Sequence, residues 1–241
     1  MKTRQPKTNN TSTSPETQQP LTPVVRRRQE DRTRDAKSKL LNAAIQVLLR
    51  DGYGGLTTKE VAKTAGLSYG ALMHHYATKE ELVVAATSMV YEECIVRGQR
   101  VAQTDDAVRN PLEGYIADCI SVYFEWPFIA ALEVVMVART DPGLMAQILP
   151  VMVHYRATCD SIWLEVFEKS GVPESTATGF MSLSLNLVRG MAVNRFWNHD
   201  EAQYKTSIDR WTALANAQMR AGLQNKPVKR TPSRAKGKKE S

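Results

Sequence analysis

Thr57-Thr58-Lys59-Glu60-Val61-Ala62-Lys63-Thr64-Ala65-Gly66-Leu67-Ser68-Tyr69-Gly70-Ala71-Leu72-Met73-His74-His75-Tyr76 is the stretch on which the fold turns. Thr57 followed by Glu60 fits a capping box, with the hydroxyl accepting from the Glu60 amide and the carboxylate reaching back. Val61, Ala62 and Ala65 then give a short apolar face before Gly66. Ser68 caps a second helix whose inward residues are Leu72 and Tyr76. Two short helices joined through Ala65-Gly66-Leu67 predict helix-turn-helix geometry, because glycine permits the sharp reversal.

Helical periodicity continues on both sides. Leu41, Ala44, Ile45 and Leu48 mark a preceding helix stopped by Gly52. Gly52-Tyr53-Gly54-Gly55 lacks the Gly-Lys-Ser/Thr of a phosphate loop and no strand precedes it, so it reads as a turn. Thr78 with Glu81 repeats the capping pattern and opens a long helix carrying Leu82, Ala86, Met89 and Val90. Pro111, Pro127, Pro142 and Pro173 stand where first helical turns begin. Helices are expected near 111–125, 127–139, 142–170, 173–196 and 200–222, with Pro150 kinking or splitting the third. Asp105-Asp106 reads as a solvated loop. No strand-like alternation of useful length is found, so the fold class is all-α, with about nine helices.

Charge divides the chain further. The net +7 of the 241 residues is uneven: residues 1–33 hold seven cations against three acids, and residues 224–241 hold seven against one. Residues 34–78 add a further +3, which leaves −6 for 79–223. A basic front end and basic tails on an acidic body point to a polyanion partner for part of the molecule. Both tails are too poor in large apolar groups to offset their ordering entropy, and unfolded segments are expected at 1–33 and 224–241. Arg26-Arg27-Arg28 fits either a minor-groove arm or a solvated tail.

Several classes are disfavoured. The apolar run Ile129 to Val137 is broken by Glu133 well short of the roughly 20 residues of a membrane span. No secretory leader is recognisable. Three separated cysteines, Cys94, Cys119 and Cys159, suit a reducing cytosol rather than a disulfide framework. There is no Gly-x-Ser-x-Gly, His-Glu-x-x-His, Walker loop or dinucleotide fingerprint, so no catalytic residue and no cofactor is assigned. His74 and His75, adjacent on a helix, point about 100° apart and make a poor metal pair.

Taken together, Gly52-Tyr53, Leu56-Thr57-Thr58, Val61-Ala62, Ala65-Gly66-Leu67-Ser68, Gly70, Leu72, His75-Tyr76, Lys79 and Leu82 resemble the TetR/AcrR family of bacterial repressors, over residues 38–82. The resemblance implies an N-terminal three-helix DNA-binding head over 34–80 and a helical effector-binding and dimerisation body over 81–223. It implies a homodimer on a palindromic operator, released by an unidentified small molecule. The expected DNA contacts are Thr57, Thr58, Lys59, Ser68, Tyr69, Gly70, Ala71, Met73, His74, His75 and Lys79. Tyr69 suits a base edge and Ala71 a thymine methyl, while Thr58 and Lys79 would assist helix N-termini in holding phosphates. Lys59 and Lys63 fit backbone contact or a solvated face equally. Met73 and Ala71 depart from the tyrosine and threonine often found at these family positions.

For the body, the family pattern suggests a pocket among Met89, Cys94, Tyr123, Trp126, Phe128, Met136, Met152, Tyr155, Cys159 and Trp163, each of which suits core packing as well. Glu133, Arg139, His154, Asn186 and Arg189 are candidates for ligand anchoring or internal pairs. The acidic body disfavours an anionic effector unless local pocket charge overrides it. Dimerisation is expected through Phe180, Leu183, Leu187 and Gly190 on one helix and Trp211, Leu214 and Met219 on the next, stripes that could equally be monomer core. An alternative is an architectural protein binding DNA through its basic tails without sequence preference.

Overall fold

A computed structural model describes residues 23–124 and 128–224, with side chains described from 29 to 221. Among them there are ten helices and no strand: α1 (Pro23–Gly55), α2 (Thr58–Thr64), α3 (Tyr69–His75), α4 (Lys79–Ala102), α5 (Asp105–Arg109), α6 (Pro111–Tyr123), α7 (Phe128–Ala138), α8 (Pro142–Lys169), α9 (Glu174–Asn194) and α10 (Glu201–Gln224). No single helix among the described residues is long and apolar enough to cross a membrane.

Local chemistry starts most of these helices. The hydroxyls of Thr57, Ser68, Thr78 and Thr104 each accept from the amide three residues on, at 3.1–3.2 Å, and the Asp141 carboxylate does the same for Leu144 at 2.9 Å. Each such cap contributes about 1 kcal/mol. At Thr57 only half of the expected box forms. The Glu60 carboxylate turns to Arg50 (3.1 Å) and Lys63 (3.7 Å) instead. At Thr78 the carboxylate does reach back, Glu81 Oε2 accepting from the Ala77 amide at 2.8 Å.

Three expectations need correction. α1 begins at Pro23, so helix extends into the segment expected to be an unfolded tail. Asp105-Asp106 opens the short helix α5, because Thr104 caps it, rather than a loop. Pro150 does not split α8, which runs unbroken through it. Ala146, whose carbonyl would have met the missing amide, is exposed, so water can take the bond.

The chain divides into two compact units, Met1–Ser38 and Lys39–Ser241. The first contains a local Arg34–Asp31 ion pair at 2.8 Å. The second contains two apolar clusters. One gathers Leu40, Val47, Leu56, Val61, Leu72 and Leu82 with Ala130, Val134, Leu144 and Ile148, so the head shares its core with α7 and the start of α8. The boundary expected at residue 80 therefore falls inside continuous packing. The other cluster fills the body around Leu112, Tyr115, Trp163 and Phe167. Within it the Trp163 indole donates to Asp118 Oδ2 at 2.8 Å, and burial raises the Asp118 carboxyl above its ordinary pKa despite that bond.

Candidate nucleic-acid interface and effector pocket

The helix-turn-helix closes on Gly66, whose φ of 66° lies in the left-handed region that side chains rarely adopt. Leu72, fully buried, ties α3 to the head. That single anchor fixes which face is left outside. Ser68, Tyr69, Gly70, Met73 and His74 are exposed, Tyr69 at 46%. Ala71 and His75 are half-buried, and the His75 ring meets His74 edge-on at 5.3 Å. On α2 and its cap, Thr57 and Lys59 are exposed and Thr58 is half-buried. The residues expected to meet DNA are thus brought to neighbouring positions on α2 and α3, with one exception.

Lys79 is committed elsewhere. Its ammonium donates to the Tyr53 carbonyl at 2.5 Å and lies 4.0 Å over the Tyr53 ring. Burial lowers its pKa, against the pull of Glu80 and Glu133. The reason is the kink at Gly52 (φ 69°, ψ 177°), which ends the regular part of α1 and leaves carbonyls for a cation to satisfy. The same kink frees the Tyr53 amide, which donates to Glu133 Oε1 on α7 at 2.7 Å. Glu133, from the sequence either a ligand anchor or an internal pair, is the latter: it joins head to body.

In the body, Tyr91, Tyr123, Phe128, Met152 and Tyr155 line a cavity of about 550 Å³, with Ala131, Leu132 and Val135 of α7 and with Arg156, Arg189 and Gly190. Tyr91 stacks on Tyr155 at 4.4 Å and Phe128 meets Tyr123 edge-on at 4.9 Å. Five expected pocket residues fall outside this lining. Met136 is 54% exposed because it lies on the outer face of α7. Cys159 and Trp163 are buried in the body core, Met89 packs against it, and Cys94 joins them there. Trp126 lies outside the described residues. Sequence reading missed Tyr91, Leu132, Val135 and Arg156, which long-range packing alone assembles.

On α9 and α10, Leu183 and Leu214 are exposed and Leu187 and Trp211 half-buried, as an unpartnered face requires. Phe180 and Met219 are instead buried within the single chain, Phe180 against the Trp211 ring at 6.1 Å. Gly190 lines the cavity as well as the surface. The Trp211 indole donates to Ser184 at 2.8 Å, which places its polar edge inward.

A capped helix pair with a polar outer face, carried on an all-helical body with a largely apolar cavity, defines a helix-turn-helix DNA-binding regulator. Comparison with known proteins agrees. Residues 40–86 match the family model described as bacterial regulatory proteins, tetR family. The HTH-type transcriptional regulator CymR of Pseudomonas putida is 30% identical over 184 residues, 75% of this chain and 89% of that protein. A TetR-family transcriptional regulator from Mesorhizobium loti superposes with a TM-score of 0.62 at 15% identity, over 78% of this chain and 98% of that one. FadR from Bacillus subtilis, solved in complex with stearoyl-CoA, superposes at 0.52 with 15% identity, over 78% and 98%. The chain belongs to the TetR family of bacterial transcriptional regulators.

Proposed function

We propose that the protein is a homodimeric repressor that occupies a palindromic operator and leaves it when a small molecule fills the cavity lined by Tyr123, Phe128 and Tyr155. The observation that carries this reading is that α7 serves two sites. Phe128, Ala131, Leu132 and Val135 line the cavity, while Glu133 on the same helix accepts the Tyr53 amide of the head at 2.7 Å. A ligand that displaces α7 therefore changes the support of the head, and it shifts binding only in so far as its affinity differs between the two arrangements. Tyr69, Met73 and His74 on the exposed face of α3 would read base edges, with Lys59 on the phosphates.

One head buries too little surface for tight operator binding, and two-fold copies reading half-sites about 34–36 Å apart supply the rest. The exposed Leu183 and Leu214 supply an apolar surface on which a second copy can pair. Footprinting on the DNA upstream of the protein's own gene tests the reading. A protected pseudo-palindrome, lost on adding a ligand of the cavity, is expected. Uniform protection of random and upstream DNA at fixed salt would refute it.

A further inference from the structure

The cavity carries a charge that the surrounding body does not. Residues 79–223 sum to −6, which disfavours anions, yet two arginines stand in the cavity wall. Arg156 has a carboxylate partner, its Nη2 donating to Asp160 at 2.7 Å. Its Nε is buried and has no hydrogen-bond partner. Arg189 donates to the Tyr123 hydroxyl at 2.7 Å and lies 5.0 Å from that ring, and among the described residues no carboxylate pairs with it. A guanidinium has five donors, and a phenol takes one without neutralising the charge. Burial pushes the Tyr91 hydroxyl up to about 12 and raises Tyr123 and Tyr155 as well, so the three phenols stay neutral. Among the described residues, the wall is left with one uncompensated positive charge beside aromatic faces.

Taking the cavity as the effector site, we infer that the effector is an apolar organic acid with a single carboxylate, seated on the Arg189 guanidinium beside the Tyr123 hydroxyl with its body against Phe128 and Met152. A carboxylate matches the planar fork of arginine in two parallel hydrogen bonds, and an apolar surround strengthens them. The single excess charge and about 550 Å³ of space suit a monoanion of modest size rather than a multiply charged nucleotide conjugate.

Calorimetric titration of the full-length protein without DNA tests this with three acids, biphenyl-4-carboxylate, 2-naphthoate and octanoate, each against its primary amide. At least one acid is expected to bind roughly 10- to 100-fold tighter than its amide. Arg189→Gln should abolish that ratio while leaving the amide's affinity unchanged. Should Arg189→Gln lower the thermal midpoint, Arg189→Lys decides, and it must retain a reduced preference for the acid. Glu125→Gln, at a position in the chain between Tyr123 and Phe128, should leave the preference as it was. The inference is overturned if no acid binds, if acid and amide bind equally, if the preference survives Arg189→Gln, if acid binding emerges only in Glu125→Gln, or if stearoyl-CoA alone binds. A gel shift with the bound acid separates the two readings. Arg189-dependent binding without release of DNA leaves the ligand class standing and refutes release from the operator.

Discussion

Glu133→Ala removes the carboxylate through which α7 accepts the backbone amide at the kinked end of α1. The bond it loses is a charge-assisted one, with the Tyr53 amide at 2.7 Å from Oε1, and bonds of this kind contribute about 1.5–3 kcal/mol. Glu133 is half-buried, so water can approach the vacated amide and offset part of the loss. A net cost of about 1–2 kcal/mol is expected. For a protein of this size each kcal/mol moves the thermal midpoint by about 2–4 °C, so scanning calorimetry should register a fall of roughly 2–8 °C. Glu133→Gln keeps an oxygen that can accept and should lose less. The functional signature is separate. With the cavity face of α7 untouched, acid affinity should stay within about twofold of the original, a change below 0.5 kcal/mol, while the acid's ability to release DNA in a gel shift falls. Unchanged release at matched ligand occupancy would refute α7 as the connection between the sites, and an unchanged midpoint would refute the energetic weight given to the bond.

Tyr69→Ala should alter the preference among operator variants, whereas Lys59→Ala should weaken all of them alike and lower the salt slope by about one, both read by fluorescence anisotropy across a salt series. Leu183→Glu with Leu214→Glu puts charges on the exposed α9–α10 face, and light scattering should show a monomer with weaker operator binding. Asp118 has its pKa raised by burial, so the folded state binds that proton more tightly than the unfolded one. Its ionisation costs stability above the raised value, and the cost disappears as pH falls toward the ordinary carboxylate range. Asp118→Asn keeps an oxygen for the Trp163 indole and should raise the thermal midpoint at pH 8 more than at pH 4. An equal gain at both would refute the linkage.

Lys79 illustrates how a residue can be placed correctly on its helix and still have an intrachain partner that its neighbours in sequence do not announce. Its position at the start of α4 follows from the Thr78 cap two residues from the Tyr76 that closes α3, all within a short stretch of chain. Its partner Tyr53 lies 26 residues away, and nothing near Lys79 in the chain announces that its ammonium will close the end of α1. Met136 shows the same for the pocket. A methionine in an apolar run suits a cavity by composition, but the side of α7 facing solvent is fixed by where α8 packs, and Met136 is on that side.

The amino-acid sequence by itself determined nine of the ten helices in outline (all but α5), the caps at Thr57, Ser68, Thr78 and Asp141, and the outward face of α3, because each depends on residues three or four apart and on one buried leucine. Only the tertiary structure decided that Arg189 meets Tyr123 across 66 residues and that Glu133 meets Tyr53 across 80. It also decided that an acidic body carries a cavity with a positively charged wall. Charge summed along a chain averages over distances at which water and salt screen it, whereas a half-buried guanidinium acts mainly on the groups that packing brings within a few ångströms.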